Sequence, residues 1–365
     1  MKSVLLLIDG NSLFHRAYHA LPPLTDRHGE MANAVFGFSN MLLKALGEIR
    51  PRYVACAFDT AAPTFRHIEF EKYKAQRPAP PADLYPQLPK VKKVLDAFGI
   101  PYFEKEGYEA DDLLATLASK FVNGSSLMVH RNSKKDKIPV NDIRSTINVV
   151  ILSGDRDVLQ LVDGNVKVRM PSSVKASPSV KTSGDKSEGK PGFDGLFDAQ
   201  AVKEKFGLEP HQMVDYKSLV GDASDNVPGV AGIGPKNAAI LFRKYGTLEN
   251  LFAHINEQSE VLRAKLEAGK DIALAAKRLV ELDRDVDLPF TIHHLRFKPD
   301  WEKVRAEYED LGFKSIVAKL PGVGNTPGSS TMSSDESVES GLSPENTPGM
   351  GKVEKPKNND QLKLI

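Results

Sequence analysis

The chain has 365 residues, 41% hydrophobic and 27% charged, enough to bury a substantial core in one large or two ordinary domains. Its net charge of +1 excludes a uniformly basic protein that coats nucleic acid by charge alone, although local patches stay open. The single cysteine, Cys56, excludes an intrachain disulfide, and the apolar run Val4 to Ile8 is too short for a signal peptide or membrane span, so a cytoplasmic chain with no membrane partner is expected.

Val4 to Ile8 reads as a strand covered on both faces of a parallel sheet, ended by Asp9-Gly10-Asn11. His15 and His19 lie one helical turn apart without the glutamate of a zinc-binding H-E-x-x-H, so they read as ordinary helix-face residues. Val35, Phe38, Leu42, Leu46 and Ile49 keep one helical face, and Val54 to Phe58 is a second buried strand, ending at Asp59. Next, Thr64-Phe65-Arg66, Tyr73-Lys74 and Arg77 gather cations beside aromatics that can stack on a base; alone they would read as a solvated helical face. Leu84, Leu88, Val91, Leu95 and Phe98 mark another amphipathic helix. After Ile100 to Phe103, Glu109-Ala110-Asp111-Asp112 opens a helix through Phe121, and Asn148 to Leu152 is a strand followed by Asp155 and Asp157. Gly124 to Thr146 and Ser172 to Gly195 read as inserted, mobile loops.

From Phe197 the pattern turns helical: Asp198 caps a helix through Phe206, Met213 to Val220 forms another, Pro235 to Tyr245 a third, and several short helices run to about Phe313. Within this part, Gly221 to Ala238 places Asp222 and Asp225 three residues apart, then Gly232-Ile233-Gly234-Pro235-Lys236. A Gly/Asp/Pro cluster is often only a turn. Here it also reads as a hairpin entering a helix, where glycines admit a phosphate, Pro235 suits the first helical position and free N–H groups attract an anion. After Leu320 the chain lacks large apolar residues until Leu362, so a disordered tail is expected, ending in Gln361-Leu362-Lys363-Leu364-Ile365.

Four times a strand or the helix after it delivers carboxylates to one region, which in doubly wound α/β sheets is the crevice beyond the strands' carboxyl ends. One such acid is usually a helix cap; eight are not explained by capping. Asp9, Asp59, Glu109 and Asp111 are candidates for one ion, Asp155, Asp157, Asp222 and Asp225 for a second, and Asp112 for a further supporting acid. Hard oxygen donors suit Mg²⁺, with Mn²⁺ substituting. Two such ions about 4 Å apart suit in-line phosphodiester hydrolysis, with Arg66, Lys74 and Arg77 steering the phosphate.

Asp9-Gly10-Asn11 with Arg16-Ala17-Tyr18-His19-Ala20, Phe58-Asp59 with Thr64-Phe65-Arg66, Tyr73-Lys74 with Arg77-Pro78, Glu109-Ala110-Asp111-Asp112, Gly154-Asp155-Arg156-Asp157 and Gly221 to Ala238 resemble the 5′ nuclease family. The match is closest to the 5′ to 3′ exonuclease domain of bacterial DNA polymerase I and covers roughly residues 1 to 320. The resemblance implies an α/β fold: a PIN-like parallel-sheet domain (1–196) with a helical arch, a helix-hairpin-helix lobe (197–320) and a disordered tail (321–365). It implies that the nine acids above hold Mg²⁺, that Lys74 and Arg77 polarise the scissile phosphate, and that Arg16 and Tyr73 engage the 5′ strand. Gly232, Gly234 and Lys236 match the hairpin that grips duplex DNA, often with K⁺. The implied activity is a 5′ to 3′ exonuclease or flap endonuclease acting on DNA with 5′ flaps, nicks or ends, RNA primer strands included, as a monomer. Gln361, Leu362, Leu364 and Ile365 resemble a peptide that binds the bacterial sliding clamp, with Ile365 where an aromatic is more usual. Two insertions and the absence of a polymerase domain depart from the pattern, leaving a stand-alone nuclease or a truncated polymerase. The rivals are a catalytically silent DNA-junction binding module and a PIN-type ribonuclease.

Overall fold

Leu5, Leu6, Leu7 and Ile8 are all fully buried, because the strand they form lies inside a sheet covered on both sides. The computed structural model describes residues 3–122, 147–171 and 193–322; nearly all of both expected insertions and almost the whole tail, including Gln361 to Ile365, lie outside the described residues. Six strands, β1 (Ser3–Asp9), β2 (Tyr53–Ala57), β3 (Tyr102–Phe103), β4 (Ile147–Leu152), β5 (Val166–Pro171) and β6 (Phe193–Phe197), form one sheet in the order β3-β2-β1-β4-β5-β6. All pairs are parallel except β5–β6.

The alternation of side chains along each strand decides which helices cover which face. Leu6, Ile8, Val54, Cys56 and Leu152 share a core with α1 (Gly10–Ala20), α2 (Asn33–Ile49) and, past the short α3 (Phe65–Glu69), α4 (Leu88–Phe98). Leu5, Leu7, Ala55, Val149, Ile151 and Val168 pack instead against α5 (Ala110–Val122). Each buried leucine or isoleucine is worth roughly 1.5–3 kcal/mol, so a one-residue slip that exchanged the faces would forfeit the core.

After α6 (Ala199–Phe206), whose Val202 still packs in the sheet core, a second core is built by α7 (Met213–Val220), α8 (Pro235–Tyr245), α9 (Leu248–Ala253) and α10 (Glu260–Val280), with Leu219, Val230, Ile233, Phe242 and Leu266 at its centre. The chain then returns to the sheet. Phe297 N–H bonds Arg52 O at 3.0 Å, and α11 (Trp301–Asp310) packs Val304 and Tyr308 into the core beside α4 before α12 (Lys314–Val317).

Three local features differ from expectation. Short helices do follow α8, but one of the helices in this stretch, α10, runs for 21 residues, and Gly269 inside it is a packing residue and not a breaker: a Cβ would meet Val230 at 2.5 Å. The strand β5 follows the alternation of buried Val166, Val168 and Met170, a period that the surrounding charges obscure. Where a helical arch is implied, only α3 is helical; residues 71–77 form turns in which Lys74 takes a positive φ of 54°.

Candidate active site

Parallel pairing puts the carboxyl ends of β1, β2 and β4 side by side, since Asp9 is level with Ala57 and Ile8 with Leu152. The strand order reverses direction at β1, which opens a crevice between β1 and β4. Asp9 caps α1 by accepting from Ser12 N–H at 2.9 Å and takes a second hydrogen bond from Ser153 Oγ at 2.5 Å. Asp59 accepts from Asn11 Nδ2 at 2.8 Å and from Ala110 N–H, at the start of α5, at 2.7 Å. Capping is therefore real at these positions, but it leaves the charges without basic partners. Burial lifts the Asp9 pKa to about 7 in spite of its two hydrogen bonds, with Asp59 and Asp155 adding repulsion. Burial also raises Asp59, and raises Asp111 well above the usual range, with Glu109 and Asp112 pushing the same way. Asp155, at the mouth, keeps accessible surface, yet removal of its carboxyl from bulk water raises it against the pull of Lys217.

The second group of acids has cationic company. The hairpin loop between α7 and α8 is folded tightly: Gly221 has φ +82°, and a Cβ on Gly229 would meet the Val220 carbonyl at 2.2 Å, so neither position admits a side chain. This closure presents Asp222 and Asp225. Lys217, on α7, is paired with both Asp157 and Asp222, the latter at 2.7 Å. Burial works against the Asp222 charge, but Lys217 and the Ser224 hydrogen bonds hold its pKa down at about 2.

The turns after α3 supply the remaining cations. Lys74 Nζ donates to Glu109 Oε1 at 2.7 Å and lies 3.8 Å from Asp225, while Arg77 Nη2 donates to Asp225 Oδ1 at 2.6 Å. Burial opposes both charges, but these carboxylates raise both pKa values above their ordinary range. The buried Tyr73 hydroxyl sits 3.1 Å from both Glu109 and Asp225, and burial together with those two charges keeps it protonated. Backbone bonds hold this segment on the hairpin: Lys74 N–H bonds Asp225 O at 2.9 Å and Asn226 Nδ2 bonds Lys72 O at 2.7 Å.

Arg66, expected to steer phosphate, is 1% exposed and so closed off from a substrate, although its Nη1 lies 3.5 Å from Glu109 Oε2. Its guanidinium holds Asp112 through two 2.7 Å bonds and donates to Leu279 O and Glu281 O, so it caps the end of α10 and ties it to α5. Asp112 is fully buried in that pair, which removes it from direct ion binding; it supports Glu109 through a 3.0 Å bond to the Glu109 N–H. Nothing in the local pattern Thr64-Phe65-Arg66 distinguishes a buried arginine from an exposed one. Lys217 was missed for a related reason: its sequence neighbours are those of an ordinary helix.

Arg16 lies half-buried on α1. The hairpin residues Gly232, Gly234 and Lys236 are exposed, and Gly234 N-caps α8 without a side-chain hydrogen bond, leaving that helix end open. A cavity of about 690 Å³, lined in part by Asn11, Asp59, Lys74, Arg77, Tyr85 and Glu109, puts two of the acids and both cations on one wall. Among the described residues no three Asp, Glu, His or Cys side chains converge as placed on a common point. The donor set nevertheless fits a hard divalent cation: oxygen ligands only, and at β1, β2 and α5 negative charge that burial penalises.

Comparison with known proteins bears on this geometry. Residues 4–207 match the model of the 5′-3′ exonuclease N-terminal resolvase-like domain, and residues 208–303 that of the 5′-3′ exonuclease C-terminal SAM fold. The chain is 40% identical over 319 residues to DNA polymerase I of Caldicellulosiruptor bescii, covering 87% of this chain and 33% of that one. It spans about a third of the length of that polymerase and of its Bacillus counterparts. It is 37% identical over 318 residues to a 5′-3′ exonuclease of Aquifex aeolicus, covering 87% of this chain and 94% of the relative. In fold it is similar to the bacteriophage T5 5′-exonuclease with bound divalent zinc, at 18% identity and a TM-score of 0.52, covering 87% of this chain and 96% of that one. The catalytic core of Rad2 in complex with a DNA substrate is similar at 17% identity and a TM-score of 0.51, covering 87% and 92%. Two consecutive family matches and a relative aligned over nearly its whole length agree with the crevice of strand-end acids: the chain belongs to the 5′-3′ exonuclease family.

Proposed function

We propose that the protein is a metal-dependent, structure-specific 5′ nuclease that hydrolyses phosphodiesters at 5′ ends and flaps of DNA. The observation that carries this reading is the meeting of two opposed sets of charge in one cleft: acids from the ends of β1, β2 and β4, from α5 and from the hairpin, faced by Lys74 and Arg77. Asp9, Asp59, Glu109 and Asp111 would hold one divalent ion; Asp155, Asp157, Asp222 and Asp225 would hold the second. When bound, two such ions supply a water activated at neutral pH and positive charge against the leaving oxygen.

The chain's own residues do the positioning. Lys74 and Arg77, already aimed at the acids, would exchange those carboxylates for a substrate phosphate and oppose the charge that grows on it. Tyr73, buried between Glu109 and Asp225, fixes the segment that carries Lys74. The open N-terminus of α8, with Lys236, would take backbone phosphates of the duplex without reading sequence. The ions are proposed to be Mg²⁺ with Mn²⁺ substituting, and a K⁺ at the hairpin rests on the family resemblance. RNA primer strands as part of the substrate, action as a monomer in the cytoplasm and recruitment by a sliding clamp through Gln361 to Ile365 are further proposals of the same kind.

The test is purified protein with Mg²⁺ on end-labelled flap, nicked and single-stranded substrates. Short products released from the 5′ side, abolished by chelation, are expected. Tight flap binding with no product in Mg²⁺ or Mn²⁺ would replace the nuclease with a junction-binding module.

A further inference from the structure

We propose that the Lys217 ammonium is a built-in counter-cation of the Asp157–Asp222 pair and weakens this half of the site for divalent ions. The proposal rests on the metal-dependent reading above and concerns what this chain's own lysine does to it. Lys217 touches both carboxylates at once, and all three side chains are largely enclosed, with 15%, 13% and 13% of their surface accessible. An enclosed ion pair is little screened by water or salt, so the single positive charge counts nearly in full against any further cation approaching the same oxygens.

The other cations in the cleft are placed differently. Lys74 and Arg77 reach Glu109 and Asp225 from the turns after α3, and Arg77 is half exposed. Lys217 stands on α7, five residues before Asp222, and its carbonyl accepts the Gly221 N–H at 2.7 Å where the helix meets the hairpin. Its backbone is thereby tied to the hairpin that carries Asp222. A divalent ion binding Asp157 and Asp222 must expel the ammonium by rotation of the lysine stem alone, and it must do so in direct competition for the same two carboxylates. No comparable contact stands on Asp9 or Asp59, whose carboxylates accept only neutral donors in the hydrogen bonds described. The first set carries such contacts on Glu109 alone, whereas the second carries Lys217 on two of its carboxylates and Lys74 and Arg77 on Asp225, so unequal affinities follow, the Asp157–Asp222 side being the weaker.

The decisive experiment titrates Mn²⁺ into the full chain without DNA, following free Mn²⁺ by electron paramagnetic resonance and heat by calorimetry. Wild type should bind one ion tightly and one weakly. Lys217→Met should tighten the weak step by roughly tenfold or more, and Lys217→Arg, which keeps the charge, should leave it near wild type. Thermal melts provide a second readout: without metal Lys217→Met should melt below wild type, and saturating Mn²⁺ should raise its melting temperature by more than it raises that of wild type. If Lys217→Met does not fold, Lys217→Gln serves in the same comparison. Superimposable or weaker Mn²⁺ binding by a folded, uncharged variant overturns the role of Lys217. Failure of the wild type to bind Mn²⁺ at all overturns the metal-dependent reading itself.

Discussion

Asp9 and Asp222 are aspartates on one cleft, and their surroundings move their pKa values in opposite directions, up to about 7 and down to about 2. Asp9 ends a buried strand and faces other acids, with only a serine hydroxyl and a backbone N–H to stabilise its charge. Asp222 sits on a hairpin with a lysine against it. Their neighbours differ in their contacts: burial raises Asp59 and Asp111, which no basic side chain touches in the contacts described, whereas Lys74 pairs with Glu109 at 2.7 Å and Arg77 with Asp225 at 2.6 Å. Asp9, Asp59 and Asp111 thus have no basic side chain bonded to them in the contacts described, whereas Glu109, Asp157, Asp222 and Asp225 carry provisional counterions from the protein. The first group should be sensitive to loss of a ligand, the second to loss of a basic partner.

The largest effect should come from the uncompensated side. Asp59→Ala is expected to lower single-turnover cleavage by roughly a thousandfold or more while flap binding changes little, since the residue holds charge at the reaction centre and not DNA. Turnover within tenfold of wild type would remove Asp59 from the ion site. Lys74→Ala should cost about a hundredfold in rate and much less in affinity, because charge aimed at a developing oxyanion acts mostly in the transition state. A change confined to affinity would make Lys74 a binding residue.

Asp225→Ala should be milder, about tenfold in rate, and should be partly relieved by raising the Mn²⁺ concentration; equal losses at Asp59 and Asp225 would erase the distinction between the two groups. The pH dependence of stability in chelator should also separate them. Between about pH 4 and 7 native Asp9 keeps a proton that the unfolded chain has released, so its contribution lowers stability as pH rises through that window and is constant above it. The loss is a few kcal/mol at most, and Mg²⁺ should cancel it. Asp222 behaves oppositely: its stabilising contribution is complete above about pH 4 and disappears as pH falls through about 2. Denaturant melts of wild type and Asp9→Asn with and without Mg²⁺ check the first sign; a pH-independent difference between them would discard it. The smallest effect is expected at the hairpin, where Lys236→Ala should weaken duplex binding a few-fold, equally for unrelated sequences and less at high salt.

Much of this was legible in the residues. The runs that became β1, β2 and β4 each end in or just before an acid, and α7 and α8 begin and end where their proline, glycine and apolar spacing put them. These features are local, because strand polarity, helix capping and glycine at positive φ depend on a few adjacent residues. Arg66 and α10 were not legible. Whether an arginine faces DNA or a buried aspartate depends on a partner 46 residues away and on carbonyls 213 and 215 residues away. Whether Gly269 breaks a helix depends on Val230 packing against it.

The sequence by itself determined that carboxylates would stand at the ends of parallel strands and beside a glycine-rich hairpin, since alternation and turn chemistry carry that information along the chain. Only the tertiary structure decided which of them would stand alone and which would be neutralised, because a counterion is chosen by distance in space. Lys217 reaches Asp222 across 5 residues, Lys74 reaches Glu109 across 35 and Arg77 reaches Asp225 across 148, and no periodicity records such meetings.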